Sequence, residues 1–287
     1  MTTEGTPMNE VIACIDGVGE RAAGICDAAS WASLRLDAPL TLLHVLDRSQ
    51  FPTETNLTGS IGLGSRESLL EELASLDEKR GKLAREQGRL MLDAARERAV
   101  SDGVESPQVL QRHGDLEETL GELEHRTRLL VLGRGGDNGA HLGSHVESVI
   151  RALHRPMLLL PDDFKAPERF LIAYDGSPTA RKAVEMVARS PLLRQLPCDL
   201  LMIGPSTTDV KMELKRAREK LEQAGFALNA EILAGDVEET LLGEVEKREA
   251  DMLVMGAYGH SRIRQMLVGS TTRNLIRQTR VPLLLLR

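Results

Sequence analysis

The chain is written twice, and that repeat limits its fold more than any other feature. The segment Glu10 to Gly17 corresponds to Arg169 to Gly176, each a short apolar strand closed by Asp-Gly and followed by an Ala-rich helical stretch. Pro39 to Val45 corresponds to Pro197 to Ile203, and Gly114 to Leu120 matches Gly235 to Leu241 almost letter for letter. Leu129 to Gly133 corresponds to Met252 to Gly256. Gly143-Ser144, Val149 to Arg151 and Pro156 to Leu160 correspond to Gly269-Ser270, Leu275 to Arg277 and Pro282 to Leu286. A repeat this long is a domain and not a solenoid unit, and 287 residues suffice for two cores. The reading is two domains, residues 1–162 and 163–287, joined by the connector Pro161 to Pro167.

Each half alternates five strands with four helices. Its strands are continuous apolar runs, as expected when both faces are covered. With right-handed crossovers this predicts an α/β fold: two tandem doubly wound, Rossmann-like parallel sheets of strand order 3-2-1-4-5. The last strand of each half would then be an apolar edge that needs a partner. Pairing Pro156–Leu160 with Pro282–Leu286 joins the halves as a pseudo-dimer. Helices are predicted over Asp209–Ala224, ending at Gly225, and over a longer charged stretch, roughly Glu67–Asp102. A Gly/Ser/Thr/Asn/Pro-rich insertion, Asp47–Ser65, has no counterpart in the second half and reads as a loop near the ligand edge.

Composition excludes several roles. Aromatic residues are 2% of the chain and apolar residues 41%, so the cores are aliphatic. A net charge of −7 without a Lys/Arg block removes the electrostatic basis for gripping nucleic acid. The first residues lack the basic start and apolar stretch of a signal peptide, and no run is long enough to span a membrane. The expectation is a cytoplasmic protein with no nucleic-acid or membrane partner. Cys14, Cys26 and Cys198 are widely spaced and form no C-x-x-C pair, which reads as reduced thiols.

Ligands of doubly wound sheets bind beyond the carboxyl ends of the strands, at the switch point. Asp175 and Gly256 fall there. The strand ending at Gly256 opens into Gly259, and nine residues further on Gly269-Ser270-Thr271 starts a helix. Glycines bring backbone N–H groups close to an anion, and the helix start adds amide and hydroxyl donors. Two ordinary turns and a Ser/Thr N-cap would read the same way. The pattern is neither a Walker loop nor a G-x-G-x-x-G fingerprint, and no G-x-S-x-G elbow or zinc-finger spacing occurs.

Asp175-Gly176-Ser177, Gly235-Asp236, the stretch Asp251 to Arg262 and Gly269-Ser270-Thr271 closely resemble the universal stress protein family. Its nucleotide-binding members carry Gly, two residues, Gly, nine residues, Gly, then Ser or Thr. The duplication is similar to the tandem-domain type. The resemblance implies an ATP- or AMP-binding stress-response regulator with Mg²⁺ accompanying a triphosphate. By position Asp175 would contact adenosine, the backbone of Ile203 the adenine and Gly256 the ribose side. Gly259, Gly269, Ser270 and Thr271 would hold the phosphates. Protein partners would read the nucleotide state, and the chain would act as a monomeric pseudo-dimer or a homodimer. No catalytic residue or metal ligand is assigned. A slow ATPase or another adenine-nucleotide enzyme is one alternative, and a non-nucleotide interaction protein another.

The first half departs from the motif. Only six residues separate Gly136 from Gly143, Val18 stands where Ser177 does, and His145 replaces Thr271. A degenerate nucleotide site is expected there. Six of the seven histidines, His44, His113, His125, His141, His145 and His154, lie in this half. With Cys14 and Asp16 near the same edge they leave a metal or another ligand open, while His44, inside a strand, reads as structural. Asp115 and Asp236 read as helix N-caps, with the following glutamates placed to suit the helix dipole.

Overall fold

The structure is a computed structural model that describes residues 9–17, 19–46, 63–134, 144–256 and 270–287. Within these, the side chains of residues 63–74, 77, 144, 145 and 270–273 lie outside the description. The first half runs β1 (Glu10–Cys14), α1 (Glu20–Leu36), β2 (Leu40–Leu46), α2 (Leu63–Ser101), β3 (Gln108–His113), α3 (Leu116–Leu123), β4 (Thr127–Gly133), α4 (Ser144–Ala152) and β5 (Met157–Leu160). The second runs β6 (Phe170–Ala173), α5 (Pro178–Arg189), β7 (Cys198–Ile203), α6 (Thr208–Gln223), β8 (Leu228–Leu233), α7 (Val237–Lys247), β9 (Met252–Gly256), α8 (Ser270–Gln278) and β10 (Leu283–Leu286).

Among the described residues these strands form one 10-stranded sheet in the order β3-β2-β1-β4-β5-β10-β9-β6-β7-β8. Each half has the expected 3-2-1-4-5 order and is parallel throughout. The halves meet where β5 and β10 pair antiparallel, with Leu158 opposite Leu284. Leu158, Leu160, Leu284 and Leu286 pack into the core beneath α1, α2, α5 and α6, while Met157, Leu159, Leu283 and Leu285 pack beneath α3, α4, α7 and α8. All eight are buried. Each contributes about 1.5–3 kcal/mol by burial, so the seam is core and not a docked surface.

Local signals set the helix ends. Asp115 accepts from Glu118 N, and Asp236 from both Glu238 N and Glu239 N, as N-caps. Thr207 caps α6, and Gly225, just past its end, takes φ 88°, the left-handed conformation that closes a helix. The long helix starts earlier than expected. Leu63, Gly64 and Ser65 are already helical, so the insertion read as a loop to Ser65 stops short of them. Gly64 and Ser65 are weak helix formers, which hid the start, but extending a formed helix costs far less than nucleating one. Residues 47–62 lie outside the described residues.

Proline at Leu284 would remove a donor from a strand paired on both sides. Leu284→Pro is expected to lower the denaturation midpoint sharply, or to separate the halves, as read by chemical unfolding and limited proteolysis. An unchanged midpoint would contradict the seam's role.

Candidate functional site

In the second half β6 lies between β7 and β9, and its register sets Ala173 beside Met255. Asp175 therefore follows the end of β6 level with the end of β9 at Gly256, and Ile203 ends the neighbouring β7. Three of the expected residues thus share one sheet edge. Gly259 and Gly269 lie outside the described residues. Ser270 and Thr271 form the first turn of α8, with side chains outside the description. In the arrangement that the resemblance implies, the described edge would face adenosine and the start of α8 would face the phosphates.

The local geometry follows from the Asp-Gly-Ser-Pro sequence. Gly176 takes φ 72° and turns the chain, and Asp175, exposed, accepts a hydrogen bond from Ser177 N at 2.9 Å. Ser177 caps α5 by accepting from Ala180 N, and Pro178 occupies the first helical turn. Asp175 is held in place by its own turn and keeps acceptor capacity for a ligand hydroxyl or amine. Gly256 faces this turn closely. A Cβ there would sit 2.9 Å from Ala180 N and from Thr179 C, both backbone atoms. The glycine lets β9 and the start of α5 touch.

A polar network missed in the sequence supports the same edge. Tyr174 Oη donates to Glu213 Oε1 at 2.6 Å, Arg181 Nε donates to the same oxygen at 2.6 Å, and Arg216 lies 3.5 Å from Oε2. It ties the end of β6 to α6 and α5. The Arg181 bond, then the Tyr174 bond, hold the Glu213 carboxyl below the usual carboxylate range. Burial, then Glu213, push the Tyr174 phenol up. One of only two tyrosines in the chain, directly before Asp175-Gly176, was the available signal; its counterpart in the repeat is Ile15.

The corresponding edge of the first half is built differently. Asp16 and Gly17 (φ 81°) are followed by Gly19, which sits at the N-cap of α1 with no side-chain cap bond. A Cβ on Gly133 would meet the Ile25 side chain, 3.0 Å from Cδ1, and no backbone. Arg134, the next residue, is committed to the other half: its Nη1 donates to Ile276 O at 2.8 Å and also to Thr279 O, at the carboxyl end of α8. Burial pulls its guanidinium down to about 10, with Asp162 opposing. The connector also belongs to this side. Asp162 pairs with Arg21 at 2.9 Å, and Phe164 packs on Trp31 with ring centroids 5.8 Å apart. Val18, Gly136, His141 and Gly143 lie outside the described residues, and so does the side chain of His145.

The remaining first-half histidines are dispersed. His44 is buried in β2, its Nδ1 2.9 Å from Ile15 O, in the structural role expected. His125 Nδ1 lies 2.8 Å from Glu122 O, and His154 Nδ1 lies 3.6 Å from Glu124. Burial, then Asp16, push the Cys14 thiol up to about 12. Among the described residues no group of three His, Cys, Asp or Glu side chains could hold a metal ion. All three cysteines are free and buried.

The chain matches the universal stress protein family over residues 8–161 and again over 167–287. A universal stress protein of Synechocystis is 36% identical over 98% of this chain and 100% of its own length. Among solved structures, a universal stress protein from Archaeoglobus fulgidus aligns with a TM-score of 0.72 at 18% identity, covering 98% of both chains. A functionally unknown protein from Pseudomonas aeruginosa aligns at 0.61 and 16% identity, covering 97% of this chain and 92% of that one. Among the described residues no helix is long and apolar enough to cross a membrane.

The contrast between the two glycines is measurable. Gly256→Ala is expected to cost about 1–3 kcal/mol, as overpacking against backbone does, and Gly133→Ala less than about 1 kcal/mol. Chemical denaturation of both variants checks this, and equal costs would contradict it. Glu213→Gln is expected to cost about 1 kcal/mol near pH 7. Because the folded carboxyl lies below its unfolded value, its contribution is present above the ordinary range and lost as pH falls. The gap between Glu213→Gln and the native chain should therefore close in acid; a gap that widens would contradict the network.

Proposed function

The chain belongs to the universal stress protein family by both of its halves, and from that premise we propose that it is an adenine-nucleotide-binding stress-response regulator with one competent site, in the second half. The observation that carries this reading is the unbroken spacing from Gly256 through Gly259 to Gly269-Ser270-Thr271, set on the strand end that neighbours Asp175. In this reading Asp175 accepts from the adenosine portion and the backbone of Ile203 meets the adenine. Gly256 borders the ribose, and the glycines with Ser270 and Thr271 donate to phosphate at the start of α8. The donor set suits the ligand: a fixed carboxylate on the sugar side and a helix N-terminus on the anionic side. ATP or AMP would fill it, and Mg²⁺ would reach it on the phosphates of ATP.

The first half would be the altered copy, with the boundary between units at residues 162 and 163. Its shortened glycine spacing and the use of Arg134 in holding α8 both support that view. The chain would work in the cytoplasm, changing its contacts with partner proteins as nucleotide binds. In this reading no residue is assigned to activate water, so any ATP hydrolysis would be slow.

Combining Gly259→Val with Gly269→Val should abolish ATP and AMP binding in equilibrium dialysis, while Gly136→Val with Gly143→Val leaves it unchanged. Binding that survives the first pair, or is lost with the second, would overturn the assignment.

A further inference from the structure

The exposed face of α2 carries a regular apolar stripe that nothing in the repeat requires. This helix has 39 residues, against 16 in its counterpart α6. Its carboxyl part is a core element: Leu92, Ala95 and Ala99 are buried, and a Cβ on Gly88 would collide with Gln111 and His44. Gln111 Nε2 also donates to Arg85 O. Gln111 and His44 lie toward the carboxyl ends of β3 and β2, and α2 runs opposite to those strands. The turns before Arg85 therefore extend past the sheet edge. Among the described residues, Leu76 and Leu83 in these turns stay exposed.

Leu76, Leu83 and Leu90 recur at intervals of seven residues, and their exposures are 45%, 71% and 56%. At 3.6 residues per turn they form one stripe opposite the face that holds Gly88 and Leu92. Lys79 and Glu86 flank the stripe on one side, also seven apart, and Arg80 and Gln87 flank it on the other. Glu86 bonds to Arg89 within the helix, whereas among the described residues Lys79 and Arg80 have no ion-pair partner.

We propose that this stripe pairs antiparallel with the same stripe of a second copy of the chain. Centred on Leu83, that arrangement sets Leu76 against the partner's Leu90 and Leu83 against the partner's Leu83. It brings Lys79 to the partner's Glu86 at both ends, and Arg80 to the partner's Gln87. Parallel pairing would instead bring Lys79 beside the partner's Arg80, two like charges. Charge thus selects the antiparallel copy, and the interface is separate from the β5–β10 seam inside each chain.

Sedimentation equilibrium of the full chain tests this. The expected mass is twice that of one chain, and Leu83→Glu should return it to one chain with the circular dichroism unchanged, because Leu83 is exposed. Lys79→Glu or Glu86→Lys alone should weaken the dimer at least tenfold, and the two together should restore it. Chains with Leu76→Cys, mixed with chains carrying Leu90→Cys, should crosslink to each other on oxidation, since the native cysteines are buried. A single-chain mass at all concentrations, a dimer indifferent to Leu83→Glu, or no gain from the double charge exchange would overturn the proposal. So would a monomer that binds anionic lipid vesicles through the same leucines.

Discussion

The antiparallel pairing of β5 with β10 is the constraint on which the rest of the molecule depends. It turns two parallel sheets into one and removes two apolar edges at once. It also reverses the second half relative to the first, so the carboxyl edges of the two sheets point to opposite ends of the molecule. The candidate ligand edges are therefore far apart, and any communication between them must pass through the shared sheet or the helices on it. The nine-residue helix α8 is placed for that: its first turn carries Ser270 and Thr271, and its last carbonyls are held by Arg134 from the other half. A cation at the carboxyl end of a helix suits its dipole, and the repeat offers only Ala257 at the matching position.

The two halves have one fold and unequal edges. In the second, Ser177 and Pro178 start α5 tightly, Gly256 packs on that start, and the Tyr174–Glu213–Arg181 network fixes the strand end from the other side. In the first, α1 begins at a glycine N-cap, Gly133 meets a movable side chain, and Arg134 is committed elsewhere. Packing accounts for Gly256 as fully as ligand binding does. In the candidate site it would thus let the end of β9 and the start of α5 approach, more than make room for a ligand.

Much of the fold was legible in the residues. Buried parallel strands need continuous apolar runs, and Asp-Gly closures, N-cap aspartates and Gly225 mark boundaries through local chemistry, so strand order and caps could be read directly. The β5–β10 pairing was legible because an apolar leucine run at an edge has few stable alternatives. Long-range polar contacts were not. Nothing in the pattern pairs Tyr174 with Glu213 across two elements, or sends Arg134 to Ile276 and Thr279, since such bonds depend on how helices seat on the sheet. The start of α2 was missed because local propensity at Gly64 and Ser65 was outweighed by extension of an existing helix. Of the candidate site, Asp175, Ile203 and Gly256 lie at or just past the ends of three neighbouring strands, and Gly259 and Gly269 lie outside the described residues.

The central claim is functional asymmetry between two copies of one fold. Calorimetric titration of the full chain, first cleared of any co-purified nucleotide, with ATP and Mg²⁺ tests it most directly. The account predicts saturation at one nucleotide per chain; two equivalent sites, or no binding heat with either ATP or AMP, would contradict it.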